Sequence, residues 1–189
     1  DSTIDFTANG NTNFGDDVTV STMAFGNNAR IVTLTVGKTL TVDQITSDAG
    51  NGSELVLAGN GSNLVLNGAN KTVALDKIVA ANANAATNNL GAGTYTVIDI
   101  QLGDAGGTLE LADGFELTGG INVAAGANGT VKFLGNGKIT GALGENANAV
   151  GAVTVEGNST LELGGNVNVA SLKGTNVVAN QNLSFINAG

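Results

Sequence analysis

The chain contains no cysteine, proline, tryptophan or histidine, has a single tyrosine and a single methionine, and its one arginine is Arg30. Each absence removes a class of chemistry. Without cysteine there is no disulfide framework and no thiolate metal site, and without cysteine or histidine zinc lacks its usual ligands. Sugar-stacking aromatic platforms shrink to Tyr95. Charged residues make up 12% of the chain, and a net charge of −9 with only scattered lysines argues against a nucleic-acid surface, which needs clustered bases opposite phosphates. No run approaches the roughly 18 apolar residues of a membrane-spanning helix. The opening Asp1-Ser2-Thr3 has neither a basic nor an apolar signal region, so any targeting signal is expected outside the 189 residues. The missing proline has a structural reading: strands inside a sheet must all donate their amides.

What is present is a hydrophobic fraction of 42%, enough for a continuous core, together with 29 glycines and abundant asparagine in turn-like stretches. The dominant local pattern is apolar–x–apolar, as in Val18-Thr19-Val20, Leu64-Val65-Leu66, Val131-Lys132-Phe133 and Val153-Thr154-Val155, each followed by a turn of small or polar residues. Period two is the strand signature, and no segment reads as an amphipathic helix. A stricter spacing recurs three times: Leu34, Val36, Leu40, Val42 and Ile45; Leu109, Leu111, Phe115, Leu117 and Ile121; Leu161, Leu163, Val167, Val169 and Leu172. Thr33, Thr108 and Thr160 precede the three copies, and a nine-residue echo relates Ser53–Leu57 to Ser62–Leu66. Divergent internal repeats of short strands predict a solenoid, because strands this short bury a face only when successive coils stack at ~4.8 Å around a shared interior. The expectation is all-β: a right-handed parallel β-helix, one β-solenoid segment over 1–189, with coils of about 20 to 25 residues and no substantial helix. A loop protruding from one face, or a loosely wound coil, is expected over 80–93, where large apolar residues are scarce, and a second loop over 144–151; strand character resumes in the alternating run from Tyr95 to Ile100.

Parallel β-helices include polysaccharide lyases and hydrolases, which need convergent acids and a basic group to stabilise developing charge. The candidates are Asp16 with Asp17, Asp43 with Asp48, and the outward acids Glu110, Glu116 and Glu162. None has a histidine neighbour, and alternation already explains acids flanked by inward leucines, so solvated surface acids are the expectation. Gly37-Lys38-Thr39 ends like a phosphate-binding loop, but Val32 stands where its first glycine belongs; it reads as a turn. Calcium-binding nonapeptides and EF-hand loops do not occur. Catalytic, cofactor and metal residues are therefore assigned to none. Thr33-Leu34-Thr35 and Thr39-Leu40-Thr41 are not continued as a threonine face at Glu110, Glu116, Glu162 and Asn168. The Asn-x-Ser/Thr sequons at Asn51, Asn60, Asn70, Asn128, Asn158 and Asn182 would matter in a eukaryotic secretory protein; in a bacterial protein they would be turn chemistry.

Three stretches carry a family resemblance: Leu-Gly-Ala-Gly-Thr-Tyr-Thr-Val-Ile-Asp at 90–99, Gly-Lys-Ile-Thr-Gly at 137–141, and Val-Gly-Ala-Val-Thr-Val-Glu-Gly-Asn-Ser-Thr-Leu-Glu-Leu-Gly-Gly at 150–165. With these the chain resembles the passenger regions of rickettsial outer-membrane autotransporters, the surface cell antigens of the outer membrane protein A and B type. The resemblance implies export through a C-terminal β-barrel translocator outside this segment. It also implies exposure on the bacterial cell surface, anchored to the outer membrane or secreted, and a non-enzymatic role in surface display and adhesion to a host-cell surface protein. It supplies no catalytic residue. The alternative expectation is a carbohydrate-active β-helix enzyme, recognised by a groove in which three or more acids and a basic residue face one another. A pore-forming barrel needs strands of roughly nine to eleven residues and aromatic girdles, which seven aromatics do not supply.

Overall fold

The computed structural model describes the chain except for residues 1, 49, 81–85, 104–106, 125–127, 146–147, 180–182 and 186–189, with the backbone alone at 179 and 183–185. It is an all-β parallel solenoid, with no helix among the described residues. In chain order its strands are β1 (Thr3–Asp5), β2 (Gly10–Phe14), β3 (Val18–Gly26), β4 (Arg30–Leu34), β5 (Thr39–Ser47), β6 (Glu54–Leu57) and β7 (Asn63–Leu66). There follow β8 (Thr72–Ala80), β9 (Thr87–Leu90), β10 (Gly93–Leu102), β11 (Thr108–Leu111), β12 (Phe115–Val123) and β13 (Thr130–Phe133). The last are β14 (Gly137–Ile139), β15 (Val150–Val155), β16 (Thr160–Leu163), β17 (Val167–Lys173), β18 (Asn176–Ala179) and β19 (Leu183–Phe185).

The longer strands bend at a corner and serve two faces, so that each winding has three faces. The first face stacks β1, the second halves of β3 and β5, the first halves of β8, β10 and β12, then β14, β16 and β18. The second runs through β2, β4, β6, the second halves of β8, β10 and β12, a bridge at Leu143, the start of β17, and β19. The third begins with the first halves of β3 and β5 and continues through β7, β9, β11, β13, β15 and the end of β17. Every strand pairing is parallel, and winding length varies more than the expected range. It is 26 residues from Asn63 to Asn89, 22 from Leu109 to Val131 and 16 from Leu161 to Val177.

Register turns alternation into columns. On the first face Ile4, Met23, Ile45, Val73, Tyr95, Leu117, Ile139 and Leu163 lie one above another, and all but the terminal Ile4 are buried. Burying each such side chain is worth roughly 1.5–3 kcal/mol, which offsets the ordering entropy of strands too short to persist alone. Tyr95 is wholly buried, tilted against Phe115 at 4.6 Å between ring centroids, and its hydroxyl donates to the Gly91 carbonyl at 2.8 Å. The chain's single tyrosine is core, not a sugar platform.

The structure refines three sequence expectations. Val36 is 61% exposed because β4 ends at Leu34; the inward pair is Val32 and Leu34. Val36, Gly37 and Lys38 make a corner two residues longer than the alternation suggests, with Gly37 at φ +73°. Of the loop expected over 80–93, residues 81–85 lie outside the described residues, and Ala80 and 86–93 belong to the wound frame. Asn88 occupies a buried inward position there, its amide donating to the carbonyls of Gly59 (2.5 Å) and Ser62 (3.1 Å). A polar residue and small neighbours thus hid a strand. Of the loop expected over 144–151, residues 146–147 lie outside the described residues. Glu145 and Asn148 exchange backbone hydrogen bonds of 3.3 and 2.8 Å, Leu143 is a core residue, and Val150 opens β15.

Candidate functional site

The outward residues stack as regularly as the inward ones, and this distributes the acids. Glu110, on the third face, lies 3.2 Å from the Lys132 ammonium, which also reaches Glu156 at 2.8 Å. These two carboxylates, Glu156 foremost, hold the Lys132 pKa above its usual value. Glu116, Lys138 and Glu162 are successive positions of one column on the first face, with Lys138 3.9 Å from Glu162. A groove runs beside them, yet it holds two acids rather than three, and both are exposed.

Asp16 pairs with Lys38 at 3.5 Å, while Asp17 accepts the Thr39 amide at 2.8 Å from the next winding. That amide contact settles Gly37-Lys38-Thr39 as a turn capped by a carboxylate. Asp43 accepts the amides of Asn70 (2.8 Å) and Lys71 (3.1 Å) and the Asn70 carboxamide (2.9 Å). Those contacts, the Lys71 amide first and then Asn70, hold its pKa below the usual carboxylate range. Asp48 is exposed and separate from Asp43. Apart from Glu116 and Glu162 beside one groove, the candidate acids lie apart, and among the described residues no three acidic, histidine or cysteine side chains could hold a metal ion.

Three arrangements were invisible in the sequence. Asp76 receives the amides of Gly50 (2.6 Å), Gly52 (2.5 Å) and Ser53 (3.0 Å) from the preceding winding. Burial raises its pKa, but these donors outweigh that effect and leave it lowered. On the second face, burial raises the Asp99 pKa; the Asn122 carboxamide at 2.9 Å and the Lys77 charge oppose the rise, and Glu145 adds to it. At the corner between the third and first faces, Thr19, Thr22, Thr41, Asp43, Gln44 and the turn from Asn67 to Asn70 line a polar groove of about 430 Å³. No local motif announces any of these, since the partners are 22 to 28 residues apart.

No family model, curated protein or solved structure matches this chain. The parallel solenoid is the level at which it is classified. Its surface gives two functional materials: columns of charges neutralised along the stack, and corners whose backbone amides are tied by Asp and Asn side chains.

Proposed function

We propose that the chain is a non-enzymatic display and adhesion rod on a bacterial cell surface. In this reading it is an autotransporter passenger segment, continuous in the full-length protein with a C-terminal β-barrel translocator, and it presents its faces to a host-cell surface protein. The observation that carries this reading is the scattering of the candidate acids. Glu110, Glu162, Asp16, Asp17 and Asp43 are bonded to lysines or backbone amides on different faces and corners, and Glu116 is exposed. A solenoid so built offers a long, stiff, repetitive surface, the property by which such folds bind large partners. The passenger resemblance at 90–99, 137–141 and 150–165 agrees with it.

The test is adhesion. Beads coated with the purified chain should adhere to cultured host cells well above albumin-coated beads, and soluble chain should compete. Adhesion equal to the albumin control removes the proposal. The alternative, a carbohydrate-active β-helix enzyme, predicts release of reducing or unsaturated ends from a polysaccharide panel, with loss of that activity on Glu116→Gln or Glu162→Gln.

A further inference from the structure

We propose that the corner groove between the third and first faces binds a neutral, extended glycan, one sugar residue per winding. Its use in the cell rests on the adhesive reading above. Parallel register places Thr19 beside Thr41 and Thr22 beside Gln44, so the same kind of polar group recurs along the axis at ~4.8 Å. That interval is close to the advance of one residue in an extended β-linked glycan. The Gln44 carboxamide donates to the Thr22 hydroxyl at 3.1 Å, which leaves its own oxygen and the Thr22 hydroxyl proton for a ligand. Thr19, Thr41 and Asn67 make no side-chain hydrogen bond among the described residues.

The far end of the groove is walled by the turn carrying Asn67, Gly68 and Asn70. That turn is held in a costly shape: Lys71 has φ +47°, the one non-glycine residue with positive φ among the described residues. Asp43 fixes it through the Asn70 and Lys71 amides. Side chains that are not glycine persist in this region only where the surroundings enforce it. The wall is thus preorganised, and the carboxylate is occupied in organising it rather than free to meet a charge. A net charge of −9 disfavours anionic glycans, and the groove lining is mainly hydroxyl and carboxamide groups with Val20 as its apolar side chain, which suits peptide side chains poorly. Hydroxyls and carboxamides suit the hydroxyl and acetamido groups of a neutral sugar chain. Without an aromatic face each sugar contributes little, so affinity must accumulate along the chain.

The experiment is an amide chemical-shift titration of the isotope-labelled chain with β-1,4-linked N-acetylglucosamine oligomers of one to five sugars, alongside a heparin oligomer and a Ser/Thr-rich peptide. Shifts should centre on residues 19–22, 41–44 and 67–70, and affinity should rise with length and level off at three or four sugars. Thr41→Val and Gln44→Met, which keep shape and remove a polar group, should each weaken binding about fivefold with unchanged circular dichroism. Absence of length dependence, shifts centred elsewhere, unaltered binding by both variants, or tighter binding of heparin or the peptide would each overturn the proposal. A chain that adheres to cells yet binds no oligomer sinks the glycan alone; oligomer binding without cell adhesion sinks the adhesive reading alone.

Discussion

Replacing Gly119 by alanine should cost about 4 kcal/mol of stability, and the reason is the corner between the first and second faces. A Cβ at Gly119 would stand 1.6 Å from the Val97 carbonyl oxygen, whereas ordinary contact begins at 3.4 Å. The windings would have to part by the difference, about 1.8 Å. Directly below, the Gly141 amide donates to the Gly119 carbonyl at 2.9 Å, and Cβ atoms at Gly141 and Gly165 would meet the carbonyls of Gly119 and Gly141 at 2.2 Å. The corner is a stack of glycines on glycines, so a retreat at one level disturbs the next. Losing two backbone hydrogen bonds at about 1 kcal/mol each, with about 2 kcal/mol for alanine at φ +134°, gives the total. For a chain this long that corresponds to a fall of roughly 10 °C in Tm. The assay is thermal and urea unfolding followed by far-ultraviolet circular dichroism, with Gly15→Ala as control. No atom lies within 4 Å of a Cβ at Gly15, and its φ is ordinary, so the control should stay within about 0.5 kcal/mol of the parent. A Gly119→Ala protein that unfolds with the control would refute the close-packed corner.

Asp76→Ala should destabilise by about 1–2 kcal/mol, discounted for its partial exposure, because three amides lose their acceptor. Since the folded-state pKa of Asp76 lies below its ordinary value, its contribution is full above that ordinary value and is lost as pH falls through the folded pKa. Acid unfolding of the parent and Asp76→Asn should therefore converge at low pH; a constant gap would contradict the linkage. Asp99 has the opposite sign: its raised pKa makes the ionised form a burden once pH exceeds the unfolded value, so Asp99→Asn should gain about 0.5 kcal/mol at neutrality and nothing in acid. Stability curves at two pH values check it. Leu34→Ala should cost about 3 kcal/mol and Val36→Asp less than about 0.5 kcal/mol, since only the first is buried; equal losses would restore the alternation that the structure corrects.

The class of structure is written in the residue pattern. Thirteen or so apolar–x–apolar triplets, many glycines and no proline leave few ways to bury short strands other than winding them; the Leu109–Ile121 copy places every inward residue in the core, and the Leu161–Leu172 copy all but Leu172, which is half-buried. Alternation also told that Glu110, Glu116 and Glu162 point outward. Register, in contrast, is set by stacking. Corner length is not encoded in a two-residue period, so whether Val36 closes a strand or turns a corner, and whether Thr87-Asn88-Asn89-Leu90 is loop or frame, depends on what the windings above and below offer. Asn88 sits inside because Gly59 and Ser62 present carbonyls to it. The same dependence hides the candidate site: Thr19, Thr41 and Asn67 are strangers along the chain, and they share a groove because parallel stacking, whose hydrogen bonds run between windings rather than within them, sets residues some 22 to 26 positions apart side by side.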